Sequence, residues 1–183
     1  MVLFARYIAG KRYWSYSAKN DETLVRRLTQ ALAVVEKENH RLQAVKGRLF
    51  GVSVKIDEKW LKELLSGVEG EDRLESFGAK FARMQDTMID KLPPRLLAAA
   101  GEKPGAAIDN LNRAERLGLI HSASQWIGMR RLRNKMAYEY IESDEEMLPA
   151  LMQAFEFSAE LERAYFNCVK YHYCPVNFHS KLS

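Results

Sequence analysis

The chain has 183 residues, of which 47% are hydrophobic and 28% are charged, and its formal net charge is +4. This is ordinary globular composition for about one domain, so collagen-like, mucin-like and wholly disordered chains are excluded. Two cysteines are too few for a disulfide scaffold. No apolar run approaches the roughly 20 residues that cross a bilayer, so no membrane segment is expected.

The ends of the chain carry no clear helical periodicity. The opening MVLFARYIAG has Arg6 inside its apolar stretch and no charged region before it, which makes a poor secretory signal. We therefore expect a cytoplasmic protein. Residues 1–20 are interpreted as an irregular leader, residues 21–172 as a helical domain and residues 173–183 as a C-terminal tail. The basic and aromatic leader is also of a composition that can bind single-stranded nucleic acid.

The first half of the predicted domain reads as two helices. The first begins near Asp21, a favourable N-cap residue, and runs towards Leu49 with an apolar stripe at helical spacing. Asp57 is a second N-cap candidate, and it predicts a short helix that ends at Gly67.

A third helix is predicted over residues 71–91, after a loop at residues 67–70. Its apolar residues recur on one face. Pro93 and Pro94 should end or kink it, because proline has no amide hydrogen and its ring clashes with the preceding turn.

Three more helices complete the pattern. A fourth runs from about Ile108 to Gly118, and a fifth opens at Ser122 or Ser124. The capping box at residues 143–146, a serine with a glutamate three residues later, starts a long sixth helix. The whole predicts an all-α antiparallel bundle with four to five core helices.

The common enzyme motifs are missing from the sequence. It contains no G-x-x-x-x-G-K-[ST], no G-x-G-x-x-G, no G-x-S-x-G and no H-E-x-x-H. These absences argue against a P-loop nucleotidase, a Rossmann enzyme, an α/β-hydrolase and a zincin.

One basic segment of the fifth helix, residues 130–140, stands apart from the rest. At about 100° per residue, Arg133 falls about 20° from Trp126 and so lies along the edge of the apolar stripe. A half-buried guanidinium needs an anionic or hydrogen-bonding partner. That partner is either a carboxylate from a neighbouring helix, such as Asp86, or a ligand phosphate, and the geometry favours the internal ion pair. Gln85 and Asp86 are then supporting residues for Arg133, or merely a solvated edge.

This segment resembles the signature of HEPN domains, R-x-x-x-x-H-x-Y, often with Asn directly after the Arg. Arg133, Asn134 and Tyr140 match it. Residues 81–86, 111–119 and 124–126 also look like members found beside nucleotidyltransferase partners. The resemblance covers about residues 21–172.

The resemblance implies a homodimeric helical bundle, with the motif helices of both subunits lining one cleft. Many HEPN domains are metal-independent endoribonucleases and toxins of toxin–antitoxin pairs, so RNA and a nucleotidyltransferase antitoxin are the implied partners, without a cofactor or metal. Arg133 would bind the scissile phosphate and Asn134 would orient the site. Arg130 and Arg131 would contact RNA, and Tyr140 is the position that a nucleotidyltransferase could adenylylate.

The sequence departs from the signature where the family has its catalytic histidine, because that position holds Tyr138. A phenol with a pKa of about 10 is a poor base at neutral pH. General acid–base help is worth about 10²–10⁴-fold, so little activity should remain. On an unbroken helix Tyr138 also lies about 140° around from Arg133. Tyr138 is equally well interpreted as an aromatic residue of a dimer interface.

Two functions therefore remain open. The first is an RNA-binding protein of toxin–antitoxin type, possessing at most a degenerate endoribonuclease site. The second is a non-catalytic helical partner, or substrate-holding subunit, of a nucleotidyltransferase.

The C-terminal region offers a weaker pattern. Cys168, His172, Cys174 and His179 are four zinc-capable ligands within a short stretch. Their spacing matches no common zinc module, and a frayed aromatic tail is the preferred interpretation.

Overall fold

The computed structural model describes residues 18–51, 55–138 and 144–173, and the side chains of residues 22–51, 55–133 and 146–173. Within those ranges every regular element is a helix, which confirms the all-α prediction. The elements are α1 (Ala18–Phe50), α2 (Glu58–Leu65), α3 (Val68–Asp86), a π-helical segment (Thr87–Lys91), α4 (Leu92–Ala99), α5 (Ala107–Arg116), α6 (Ala123–Tyr138) and α7 (Asp144–Tyr173).

The core forms where α1 packs against α3, α4 and α7. The predicted stripe of α1 is buried from Leu28 to Leu49, and its first member, Leu24, is half-buried. Phe50 continues this stripe into an aromatic cluster. Its ring centroid lies 4.6 Å from that of Phe155 and 5.1 Å from that of Phe77. Aromatic pairs of this kind stabilise a fold by more than the apolar area they bury. These contacts therefore fix the end of α1 between α3 and α7.

Two predicted helix ends are confirmed by their backbone geometry. The Asp57 carboxylate accepts a hydrogen bond from the Trp60 backbone amide at 3.0 Å, which caps α2. Gly118 follows the end of α5 with a φ of +68°, a left-handed conformation that a residue with a Cβ adopts only at a cost.

The predicted loop at residues 67–70 is wrong. Gly67 is the N-cap of α3, and its carbonyl accepts a hydrogen bond from the Gly70 amide at 2.9 Å. Gly70 lies inside the helix, where a Cβ would come within 1.8 Å of the Leu64 carbonyl oxygen. This glycine therefore permits close packing of α3 on α2, and a loop signal in the sequence is in fact a packing requirement.

The two prolines produce a wider turn and a further helix, where the sequence predicted only an end or a kink. Pro93 and Pro94 lie in the first turn of α4, a helix absent from the sequence-based prediction. In a continuous α-helix their rings would clash with the carbonyls of Ile89 and Asp90, and neither could donate to them. The chain avoids this in the π-helical segment, where the Leu92 amide bonds the Thr87 carbonyl five residues back.

The ends of the described structure modify the predicted boundaries. α1 begins at Ala18, upstream of the predicted Asp21, and α7 extends to Tyr173. The leader at residues 1–17, the Ser143 cap and the tail at residues 174–183 lie outside the described residues. None of the described helices has the length and hydropathy to cross a membrane.

Candidate functional site on the face between α3 and α6

The start of α6 is held in place by carboxylates from two other helices. Glu115 of α5 accepts a hydrogen bond from the Ala123 amide at 2.8 Å. Glu160 of α7 accepts from the Trp126 indole at 3.4 Å and from the His121 amide at 3.2 Å. Trp126 itself is fully buried. Because acceptors at a helix N-terminus satisfy its unpaired amides, these contacts set the rotation of α6 and the direction of residues further along it.

Arg133 lies two turns further along α6, at the edge of the interior. Its Nη2 donates to the Oδ1 of Asp86, the last residue of α3. The Arg133 side chain is only 14% exposed, whereas that of Asp86 is 41% exposed. The predicted internal ion pair is thus confirmed. The guanidinium is mostly desolvated, and the carboxylate remains open to water.

A second ion pair lies beside the first. The two terminal nitrogens of Arg130 donate to the two carboxylate oxygens of Asp90, each at 3.0 Å. Asp90 belongs to the π-helical segment, and no pattern in the sequence predicts that segment or this pair. Arg130, predicted to contact RNA, is already engaged by a carboxylate in a planar bidentate contact. Arg131, the next residue of α6, is exposed and lies about 100° further around the helix.

Buried polar atoms lie behind these ion pairs. Gln85 is fully buried, so its interpretation as part of a solvated edge is wrong. Among the described residues, neither atom of its amide has a hydrogen-bond partner, and the same holds for the Nε of Arg133. Buried groups of this kind are uncommon, because each loses its hydration without compensation.

A buried carboxylate faces the π-helical segment from α1. Glu38 is 9% exposed, and its burial raises the pKa of the carboxyl above its usual value of 4.5. The Thr87 hydroxyl, which hydrogen-bonds this carboxylate, and the nearby cations Lys91, Arg83 and Arg41 act in the opposite direction. The sequence contained a signal for this residue, since Glu38 lies between Val35 and Leu42 in the apolar stripe of α1.

The remaining motif residues are described only in part. α6 continues through Asn134 to Tyr138, but their side chains lie outside the described residues, as does Tyr140 entirely. The unbroken backbone places positions 133 and 138 about 140° apart around the helix axis. Within one copy of the chain these two positions therefore do not converge on one phosphate.

The zinc-capable residues do not form a site in the described structure. Cys168 is buried, which raises the pKa of its thiol to about 12 and keeps it protonated. Burial also lowers the pKa of His172. No group of three or more His, Cys, Asp or Glu side chains suited to a metal occurs among the described residues, and Cys174 and His179 lie outside them.

A shallow groove of about 310 Å³ opens between α1 and α3, on residues other than those of the two ion pairs. It is lined by Val45, Arg48, Glu69, Asp72, Arg73 and Ser76. Its two arginines face two carboxylates, so its lining has no excess of either charge.

The comparisons with known proteins give no family assignment. No family model, no curated protein and no solved structure matches this chain.

Proposed function

We propose that this protein is a non-catalytic helical interaction module of HEPN type, with a nucleotidyltransferase as the partner that the resemblance implies. The observation that carries the proposal is the pairing of Arg133 with Asp86 and of Arg130 with Asp90. On this face, two of the three arginines near the motif are engaged by carboxylates of the same chain.

Electrostatics favours this function over catalysis. Binding to RNA draws most of its free energy from cations that replace counterions along the phosphates. Here a phosphate would meet two carboxylates beside the guanidiniums, and would have to displace them or accept their repulsion. The sequence position of the family's histidine holds Tyr138, so an efficient proton donor and acceptor is also missing.

RNA binding with weak or absent cleavage is the second candidate, and the placement of Arg133 favours it. The guanidinium is held at the rim of the interior, next to the half-exposed Asp86 carboxylate. An arginine has five N–H donors, and a carboxylate that orients its fork leaves other donors for a phosphate.

An RNA assay with the full chain separates the two functions. Wild type, Arg133→Ala, Tyr138→His and Tyr138→Phe would be compared for RNA binding and for cleavage. The proposed module shows no measurable cleavage and no change in RNA affinity in Arg133→Ala. Cleavage by the wild type that disappears in Tyr138→Phe would overturn the proposal, and an affinity loss in Arg133→Ala without cleavage would establish the second candidate. We expect Tyr138→His to gain cleavage only if RNA reaches Arg133 and a second copy of the chain brings its position 138 to the same phosphate.

A co-purification experiment tests the partner directly. The tagged full chain would be expressed together with the products of its neighbouring genes, and any protein that co-purifies would be identified. Arg131→Glu reverses the exposed charge of the third arginine of this stretch of α6, and we expect it to reduce recovery of the partner. Lys59→Glu, on α2, is the matched control, because its side chain is 85% exposed and α2 packs against α3 and α7. Equal recovery in all three samples would place the partner elsewhere, and no recovery from wild type would reject the nucleotidyltransferase.

A further inference from the structure

α7 has a buried inner face and, on its opposite side, a row of exposed residues that are mostly apolar. The inner face is buried in the core at Ala154, Leu161 and Cys168. On the opposite side, Met152, Ala159, Phe166 and Tyr173 recur at intervals of seven residues and are all exposed. Phe166 is 55% exposed and Tyr173 is 65% exposed. Large apolar residues in a regular row on one surface are typical of an interaction site.

The row has the pattern of one side of a coiled coil. Residues three positions after its members are Phe155, Glu162 and Val169, all half-buried. Together the two rows, at residues 152, 155, 159, 162, 166, 169 and 173, form an a/d seam. The seam extends over three heptads and about 32 Å, the length at which heptads begin to indicate a coiled coil. Its one polar member, Glu162, accepts a hydrogen bond from Asn39 at 3.3 Å.

We infer that the a/d seam of α7 is an interface between two copies of this chain, with their α7 helices packed antiparallel. The charges that flank the seam support this choice of partner. The e positions hold Glu156, Arg163 and Lys170. In antiparallel coiled coils, e positions face e positions of the other helix. If Phe155 of one copy lies level with Tyr173 of the other, so that a residues pack against d residues, Glu156 lies beside Lys170 of the second copy, and the symmetry makes this contact twice.

The same register accounts for the third e residue. Arg163 of one chain would lie beside Arg163 of the second copy at the twofold axis, where these two like charges meet. Its charge is offset within each chain, because its Nε donates to Glu160 at 2.9 Å. In a parallel pair, by contrast, e positions face g positions, and two of those on α7, Ser158 and Tyr165, are buried inside the chain. An antiparallel pair is therefore the arrangement that the charges and the burial favour.

This interface does not depend on RNA or on the motif residues of α6. It also uses a different surface from the cleft that the HEPN resemblance implies, so the two are tested by different variants.

Sedimentation velocity of the full chain over a wide concentration range tests the inference. We expect wild type to dimerise, and we expect Phe166→Lys to raise the dissociation constant at least about tenfold by placing an unpaired charge in the seam. Val68→Lys is the matched control, because Val68 is also an exposed apolar residue, 73% exposed, but lies on α3. Far-UV circular dichroism confirms that both variants fold.

Charge reversal tests the antiparallel register. Glu156→Lys and Lys170→Glu should each weaken dimerisation about tenfold, because each creates two like-charge contacts. The double variant, and a mixture of the two single variants, should restore it. The two residues are about 21 Å apart along one helix, so no contact within a chain can produce this rescue.

The inference is overturned by a wild type that is monomeric at every concentration, by a dimer that Phe166→Lys leaves intact, or by the absence of rescue in the double variant. In a monomeric wild type, cross-links between α7 and residues 1–17 would assign the seam to the chain's own leader.

Discussion

The two ends of α6 are held by opposite arrangements of charge. At its start, the carboxylates of Glu115 and Glu160 accept hydrogen bonds from backbone amides and from a buried indole. Towards its end, guanidiniums of α6 itself meet carboxylates of α3 and of the π-helical segment. The first arrangement satisfies groups that every helix start leaves unpaired. The second brings charged side chains out of water without a need of the helix, which marks it as the end where a functional role is to be sought.

The largest expected effect on stability lies at the start of α6. Trp126→Ala should lower the free energy of unfolding by about 3–5 kcal/mol, because it removes a fully buried indole. The ring centroid of this indole lies 5.3 Å from that of Phe157, and its N–H donates to Glu160. Urea unfolding followed by circular dichroism measures the change. Ile108→Ala, at a 42% exposed position, is the control and should cost far less. A loss below about 1 kcal/mol for Trp126→Ala would show that the start of α6 is not held as described.

The two partners of the inner ion pair, Arg133 and Asp86, should contribute unequally to the free energy of unfolding. Asp86→Ala should cost about 1–3 kcal/mol, because it leaves the mostly buried Arg133 guanidinium without its carboxylate. Arg133→Met should cost less than about 1 kcal/mol, since the half-exposed Asp86 can return to water and the methionine fills the space. The double variant completes a thermodynamic cycle in urea unfolding. Equal losses in the two single variants would contradict the unequal burial of the partners.

Gln85 sharpens the comparison, because it tests whether buried polarity at this end is a burden on stability. Gln85→Met keeps the shape of the side chain and removes an amide without partners among the described residues. We expect the variant to be more stable by about 1 kcal/mol, measured as a higher urea midpoint. Gln85→Glu is the control and should be less stable, because it buries a charge. A destabilised Gln85→Met would show that the amide is hydrogen-bonded after all.

The outer ion pair, Arg130 with Asp90, should contribute less to stability than the inner pair. Asp90→Ala should change the free energy of unfolding by at most about 1 kcal/mol, since both partners are at least a third exposed. The effect should shrink further in high salt, which screens exposed charges. Asp90→Ala and Asp86→Ala would be compared in low and high salt. An equal loss of unfolding free energy in Asp90→Ala and Asp86→Ala would show that the two ion pairs contribute equally to stability.

Glu38 supplies the pH dependence. Because its folded pKa is raised above the usual 4.5, the native state favours the protonated form, and this group's contribution to stability is lost as the pH rises through its folded pKa. Glu38→Gln should therefore be more stable than wild type at neutral pH, with the difference vanishing towards pH 4. Urea midpoints measured over this range provide the test. A constant difference between variant and wild type would assign the effect to packing instead of titration.

Much of this fold could be predicted from local patterns. The stripe of α1, the Asp57 cap and the glycine after α5 each depend on a helical period or on a backbone preference, both of which neighbouring residues determine. The same patterns were misleading at Gly70, because a residue chosen for close packing on α2 is indistinguishable in sequence from a loop glycine. They also missed α4, since the two prolines that start it were interpreted only as the end of the preceding helix.

The candidate site also has residues that local patterns predict and residues that depend on tertiary packing. The helical angle placed Arg133 at the edge of an apolar stripe and named Asp86 as a partner, and the structure confirms this contact. Asp90 and Glu38 escaped notice because they depend on the π-helical segment and on a facing helix. The RNA-binding roles of Arg130 and Arg131 and the role of Tyr140 stay predictions.

By itself, the sequence determined that the chain is helical, where most of its helices begin and end, and that one arginine of α6 lies at the boundary of the interior. These follow from periodicity and from caps, which act within a few residues. Only the tertiary structure decided that Arg130 and Arg133 are both met by carboxylates, that Gln85 is fully buried, and that a row of residues on the outer side of α7 is exposed. Such outcomes depend on how helices distant in sequence are rotated against one another, and no local preference encodes that rotation.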